Sequence, residues 1–152
     1  MEEFKPFIVK IPVNYIPSEN QRLSGGRKKH LTPVALQFKT DVFNSLLPLG
    51  NEEFGQNYPY LDGNYQLDCE YHFVLNQSMF RRDTDNLVKM FQDSLFDWLE
   101  LNDSLIVRIE AIKFYAPSSP NEFIIAKIQP SQVNISIYEE KFRSSSTQIS
   151  QE

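Results

Sequence analysis

A strongly amphipathic segment from near Asp85 to Glu100 is the sequence feature that most restricts how this chain can fold. Large apolar residues recur on one side at helical spacing, and charged and amide residues occupy the other side. The apolar side consists of Leu87, Phe91, Leu95, Trp98 and Leu101, flanked by Val88 and Leu99. The pattern predicts a helix that other elements must cover along one face. It leaves Phe96 on the polar face, as an interface contact or as a tolerated exposed residue.

Alternating segments flank this predicted helix on both sides. Residues 65–76 alternate between apolar and polar side chains, which predicts a strand with one buried face and one wet face. Cys69 falls on the buried face of that strand and His72 on the wet face. Residues 105–114 alternate again. The strand 123–128 is apolar on both faces, which indicates either a covered strand or one buried by a partner subunit.

The N-terminal part adds one strand and one helix. Residues 7–13 alternate as a strand, and a loop from 14 to 31 follows. Thr32 is then expected to cap a helix that has Pro33 at its first position. A last short strand is predicted around 133–137. The order β-α-β-α-β-β(-β) predicts a single α+β domain with a mixed sheet and two main helices, spanning residues 1–140, with a flexible tail at 141–152.

Carboxylates and one lysine gather around the start and end of the amphipathic helix. Asp83 precedes the helix, Asp85 and Lys89 are spaced to meet on its polar face, and Asp103 opens the next strand. Two interpretations are open. Asp83 or Asp85 can simply cap the helix and complement its positive end. Alternatively, the aspartates hold a divalent metal, because hard cations such as Mg²⁺ prefer carboxylate oxygens.

The motif Arg-Asp-x-Asp-Asn-Leu-x-Lys occupies residues 82–89. The sequence Asn-Asp-Ser follows at 102–104, before a Val/Ile-rich strand. Together they resemble the RusA family of Holliday-junction resolvases. The segment 16–20, with its Pro-x-Ser-x-Asn pattern, also resembles the opening of that family, so the likeness runs from about Phe7 to Ile112. Two positions depart from the family pattern. Asn102 stands where the family usually has an aspartate, and no aromatic residue directly follows the opening.

The resemblance implies a RusA-like, dimeric, Mg²⁺-dependent endodeoxyribonuclease of phage or prophage origin, with Mn²⁺ as a possible substitute metal. It would resolve Holliday junctions in recombination and repair by paired symmetric nicks, through attack of an activated water on the phosphodiester. Asp83, Asp85 and Asp103 match the catalytic metal-binding aspartates, and Lys89 matches the essential lysine. The implied partners are branched DNA and a second copy of the chain. A non-catalytic module of the same fold, binding branched DNA or protein, is the alternative.

Composition limits the classes further. The 152 residues suit one domain, and no apolar run approaches the roughly 20 residues of a membrane span. A single cysteine and an acidic N-terminus without a signal-peptide pattern predict a cytoplasmic protein that does not associate with membranes.

The net charge of −5 is unusual for a DNA-binding protein, but the basic residues are clustered. The residues expected to bind DNA are Arg22, Arg27, Lys28, Lys29, Arg81 and Arg82. For the first four, an ordinary solvated loop is the alternative interpretation.

Overall fold

The computed structural model describes residues 3–21, 23–24, 30–132 and 140. Within them, four long strands form one mixed sheet in the order β1-β6-β4-β5. Its strands are β1 (Phe7–Val13), β4 (Leu67–Leu75), β5 (Ile106–Tyr115) and β6 (Glu122–Pro130). β6 runs antiparallel to both β1 and β4, whereas β4 and β5 run parallel. The predicted α+β class with a mixed sheet is therefore confirmed.

The helices and short elements fill the connections of this sheet. Helix α1 (Pro33–Leu46) follows a short hairpin of β2 (Leu23–Ser24) and β3 (His30–Leu31). A single helical turn, α2 (Phe54–Asn57), precedes β4. Helix α3 (Thr84–Leu99) connects the two parallel strands β4 and β5. The sequence pattern identified the four long strands and the two long helices, but it treated the β2–β3 hairpin and α2 as loop.

Helix α1 begins where its capping pattern predicts. The Thr32 hydroxyl accepts a hydrogen bond from the Ala35 amide at 3.2 Å, and Pro33 occupies the first helical position. Ala35, Phe38, Val42 and Leu46 form its buried side. Helix α1 is joined to α3 by an ion pair of Lys39 with Asp97 at 3.0 Å.

The core lies between the two long helices and one face of the sheet. β1, β4 and β6 each alternate so that every second residue is buried. β6 lies between β1 and β4. Ile124, Ala126 and Ile128 on one face of β6 are buried, and Phe123 and Ile125 on the opposite face are half-buried. Cys69 is buried, as predicted, and burial raises the pKa of its thiol to about 11. The thiol is a packing group.

Phe96 was expected on the polar face of the amphipathic helix, and this expectation is wrong because the ring is 3% exposed. Helix α3 ends at Glu100, which adopts a left-handed conformation with φ 57°. The Leu101 amide then donates to the Phe96 carbonyl at 3.0 Å, so the chain turns back over the helix end. Phe96 and the returning residues Leu101, Asn102 and Asp103 line one depression, an arrangement that helical periodicity does not describe. The strand predicted at 133–137 and the tail at 141–152 lie outside the described residues.

An aromatic cluster fixes the loop between α2 and β4. Phe7 of β1 makes edge-to-face contacts with Phe54 and Tyr58, and Tyr58 in turn contacts Tyr60. The Tyr60 hydroxyl donates to the Lys5 carbonyl at 2.7 Å and to the Ile128 carbonyl at 3.1 Å. Burial raises the pKa of Tyr60 to about 12, so the hydroxyl remains a donor at neutral pH.

We expect Tyr60→Phe to lower the free energy of unfolding by about 1 kcal/mol, because the Lys5 and Ile128 carbonyls lose their shared donor while the ring keeps its packing. Urea denaturation followed by circular dichroism measures the change. Tyr65→Phe is the matched control, since the structure gives the Tyr65 hydroxyl no hydrogen bond with another described residue. Equal unfolding midpoints for the two variants would contradict this role of Tyr60.

Candidate active site and its buried support

The candidate site begins at the junction of β4 and α3. Asp83 occupies the N-cap position of α3, yet its side chain makes no capping hydrogen bond. Asp83 and Asp85 are both exposed, and neither side chain forms a hydrogen bond or ion pair with another described residue. Capping therefore does not account for these carboxylates. They are free to take an external ligand.

Lys89 lies one helical turn along α3 from Asp85. The expected contact between the two is not formed, because the Lys89 ammonium lies 3.6 Å from the Glu19 carboxylate instead. Glu19 belongs to the segment 16–20 that carries the Pro-x-Ser-x-Asn pattern. The lysine thus connects this N-terminal segment to the start of α3. Sequence reasoning did not single out Glu19, although the pattern around it was noticed.

Asp103 lies elsewhere on the molecule. It shares a shallow depression with Asp93, Phe96 and Asn102, beside the second half of α3. Burial raises the pKa of Tyr71 well above its ordinary value, with a smaller contribution from the nearby Asp103 charge. The Tyr71 hydroxyl in turn donates to Gln92, in the middle of α3, at 3.0 Å.

The separation of these carboxylates within one chain is too large for a shared ion. Asp93 lies ten positions after Asp83, which corresponds to about 15 Å along the helix axis. Oxygen ligands of one Mg²⁺ each lie about 2.1 Å from the ion, so they are at most about 4 Å apart. In agreement, the described part of the chain contains no group of three acidic, histidine or cysteine side chains placed to hold a metal. One chain alone does not form the three-aspartate site.

Arg82 is not a surface residue, and its predicted role as a DNA contact is wrong. The side chain is 1% exposed and forms a two-pronged ion pair with Glu122, whose carboxylate is completely buried. Both guanidinium nitrogens lie 2.6 Å from the carboxylate oxygens. The guanidinium also lies 4.4 Å from the ring centroid of Tyr15. Such a buried pair cannot reach phosphate without losing its partner.

The Arg82–Glu122 pair connects three segments of the chain. Glu122, at the start of β6, accepts the Ile16 amide at 2.8 Å and the Asn76 amide at 2.9 Å. Arg82 donates to the Ile16 carbonyl at 2.8 Å and also to the Gln77 carbonyl. The segment 16–20, the loop after β4 and the start of β6 therefore share one polar network directly below Asp83. Nothing in the sequence pattern around Glu122 predicts this role.

The remaining predicted DNA contacts divide into two groups. Arg81 is exposed beside Asp83, as a phosphate contact requires. Arg22, Arg27, Lys28 and Lys29 lie outside the described residues.

No helix in the described part is long and apolar enough to cross a bilayer.

Comparison with known families identifies the class of the domain. Residues 56–125, which include β4, α3 and β5, match a family model. The match indicates an endodeoxyribonuclease domain. The family is that described as Endodeoxyribonuclease RusA, and the chain is similar to it over residues 56–125. The resemblance seen in the sequence is thereby confirmed. No curated protein matches the chain.

We expect Arg82→Ala to lower the free energy of unfolding by about 3–5 kcal/mol, because the variant leaves the Glu122 carboxylate buried without its counter-charge. Arg81→Ala is the matched control, and its exposed position predicts a change within about 0.5 kcal/mol. Urea denaturation of both variants measures the difference. Similar small changes in both would show that the buried pair does not stabilise the fold.

Proposed function

We propose that this protein is a divalent-metal-dependent, structure-selective endonuclease that resolves Holliday junctions by paired nicks, acting as a homodimer. The match of residues 56–125 to the RusA family model supports junction resolution as the activity. The proposal rests on one observation within the matched segment. The side chains of Asp83 and Asp85, near Lys89, are exposed and do not cap helix α3. The expected host compartment is the cytoplasm, and phage or prophage origin remains part of the proposal.

The parallel order of β4 and β5 suggests how the third aspartate joins the other two. Ile106, at the start of β5, pairs with Leu67, at the start of β4. Asp103 comes just before β5, so it lies at the end of the sheet where β4 begins. At the other end, the ammonium of Lys113 donates to the Arg82 carbonyl at 2.8 Å. The end of β5 therefore lies beside the Asp83 loop. Each chain carries the two halves of a site at opposite ends of one strand.

A two-fold axis beside β5 would bring opposite halves together. Among the described residues, β5 has a paired neighbour on one side only, because it lies at the edge of the sheet. If two copies align their β5 strands antiparallel, the Asp103 end of one copy faces the Asp83 end of the other. The surface of β5 suits such contact, since several of its large apolar side chains are exposed. These are Val107, Ile109, Ile112, Phe114 and Tyr115.

In the proposed site, Asp83 and Asp85 of one copy and Asp103 of the second copy would hold Mg²⁺, or Mn²⁺ in its place. A bound divalent ion supplies Lewis-acid charge at the scissile phosphate and at the nucleophile. Lys89 would neutralise charge that develops on the phosphate during attack. Arg81 would bind the neighbouring backbone, and the basic residues at 22 and 27–29 would add contacts along the arms of the junction.

A mixture of two inactive variants tests the composite site. Asp83→Asn and Asp103→Asn should each abolish cleavage of a synthetic four-way junction in Mg²⁺, and chelator should abolish cleavage by the natural protein. Differently tagged copies of the two variants, purified as a heterodimer, should nick one strand again. The reason is that one of the two sites then receives Asp83, Asp85 and Asp103 unchanged.

The heterodimer of Asp83→Asn with Asp85→Asn is the matched control. Both changes fall on the same half of the site, so no intact site forms and no nicking returns. A heterodimer of natural chain with Asp83→Asn supplies the positive reference. An inactive Asp83→Asn/Asp103→Asn heterodimer beside an active reference would place all three aspartates in one chain, and a strictly monomeric protein in sedimentation would reject the dimer.

Lys89→Ala should lower turnover by about two to three orders of magnitude, the range for a lost electrostatic stabiliser of a transition state. Junction binding should change far less, because the lysine acts on charge that appears during attack. Lys39→Ala is the control, since Lys39 is also a lysine paired with a carboxylate but lies on α1. Single-turnover cleavage and binding without metal separate the two effects. Normal turnover with weak binding would make Lys89 a simple phosphate contact.

A further inference from the structure

Phe80 is the most exposed large apolar side chain in the described part of the chain, at 93%. It lies within a single 3₁₀ turn, Met79–Arg81, just before Asp83. Of the residues around it in the chain, Gln77, Ser78 and Arg81 are exposed, and Met79 is half-buried against the core. A fully solvated phenyl ring gains nothing for folding, because it buries no surface. Its position beside the carboxylates therefore calls for an external contact.

The backbone on both sides of this ring is held firmly. Ser78, which precedes the turn, adopts a left-handed conformation with φ 50°. The Lys113 ammonium donates to the Met79 and Arg82 carbonyls, each at 2.8 Å. The buried Arg82 guanidinium donates to the Gln77 carbonyl as well. Phe80 is thus displayed from a turn that is fixed before and after it, so little backbone freedom is lost when the ring meets a ligand.

We propose that Phe80 stacks on an unpaired nucleobase at the branch point of DNA, a contact that rests on the proposed function and extends it. An aromatic ring binds any base through the π-face, whatever the sequence, and a side chain inserted between base steps unstacks them. Arg81, next in the chain, is exposed to bind the adjacent phosphate. The ring would position the strand so that its backbone reaches Asp83.

The surroundings favour a base over a protein partner. A stable protein interface needs a continuous apolar patch, whereas the exposed residues next to Phe80 in the chain are polar or charged. The apolar surface of the proposed dimer lies on β5, and Lys113 of that strand contacts this turn, so sedimentation of Phe80→Ala distinguishes a dimer contact from a base contact. A flat ring beside an arginine, standing alone, matches the dimensions of a single base and its phosphate.

Binding of Phe80→Ala provides the first measurement. In chelator, its dissociation constant for a synthetic four-way junction should rise by about 5- to 150-fold, the effect of losing one stacked base. Affinity for a linear duplex of equal length should stay unchanged, since a paired duplex offers no free base face. Leu47→Ala is the control, because Leu47 is also a strongly exposed apolar residue, at 70%, but lies at the far end of α1.

A tryptophan at the same position provides the second measurement. Phe80→Trp should keep junction affinity, and its fluorescence should be quenched by a single-stranded oligothymidylate as well as by the junction. The natural chain, whose only tryptophan is Trp98, gives the background signal. Quenching by oligothymidylate does not depend on cleavage. If the natural protein fails to cut junctions while quenching persists, the proposed function fails and the base contact stands.

Three results would overturn the inference. The first is a Phe80→Ala variant that binds the junction as the natural protein does. The second is a Phe80→Trp variant whose fluorescence is changed by neither DNA. The third is a shift of Phe80→Ala to a smaller species in sedimentation without DNA, which would assign the ring to contact between copies of the chain.

Discussion

The buried ion pair of Arg82 and Glu122 is the interaction on which the site depends. Both side chains are almost fully excluded from water, so each would be costly without the other. Their remaining hydrogen bonds go to backbone groups of the 16–20 segment and of the loop after β4. Because Arg82 directly precedes Asp83 in the chain, this network also fixes the backbone position of Asp83.

Such a pair is a weak source of net stability, since the cost of desolvating two charges offsets much of their attraction. What it provides is a definite geometry. The carboxylate of Glu122 accepts four hydrogen bonds at once, from Ile16, Asn76 and the two guanidinium nitrogens. A hydrophobic replacement would pack there but would leave two backbone amides without an acceptor. The polar network therefore orients the loop in a way that apolar packing cannot.

The strand–helix–strand connection imposes the second constraint. A parallel pair requires the connecting helix to carry the chain back along the sheet, so residues before and after α3 are separated by much of the helix length. Asp83 and Asp103 are related in this way, and no local rearrangement of the loops removes the separation. A second copy of the chain provides a way to combine them. Under the proposed function, the order of the strands would therefore require two copies of the chain.

The sequence predicted the long elements because each has a clear period, as in the alternation of β4 or the apolar side of α3. It failed where tertiary context decides. Phe96 looked exposed because helical periodicity ignores the chain that returns over the helix end, and Arg82 looked like a DNA contact because its partner Glu122 lies 40 residues away. The residue types of the aspartate motif were recognisable, but their separation in one chain follows from strand order, which the motif does not contain.

The charges around the site explain how an acidic protein can be expected to act on DNA. Among the described basic residues near Asp83, Arg82 is neutralised by Glu122, and Lys89 lies beside Glu19. Arg81 alone of these is exposed without an acidic partner in the described part of the chain. The uncompensated carboxylates of Asp83 and Asp85 would repel phosphate by themselves. A bound divalent cation reverses the local sign, so metal and DNA would bind cooperatively at this position. Under the proposed function, a bound divalent cation would therefore strengthen the binding of DNA at this position, and the same site would bind DNA more weakly without metal.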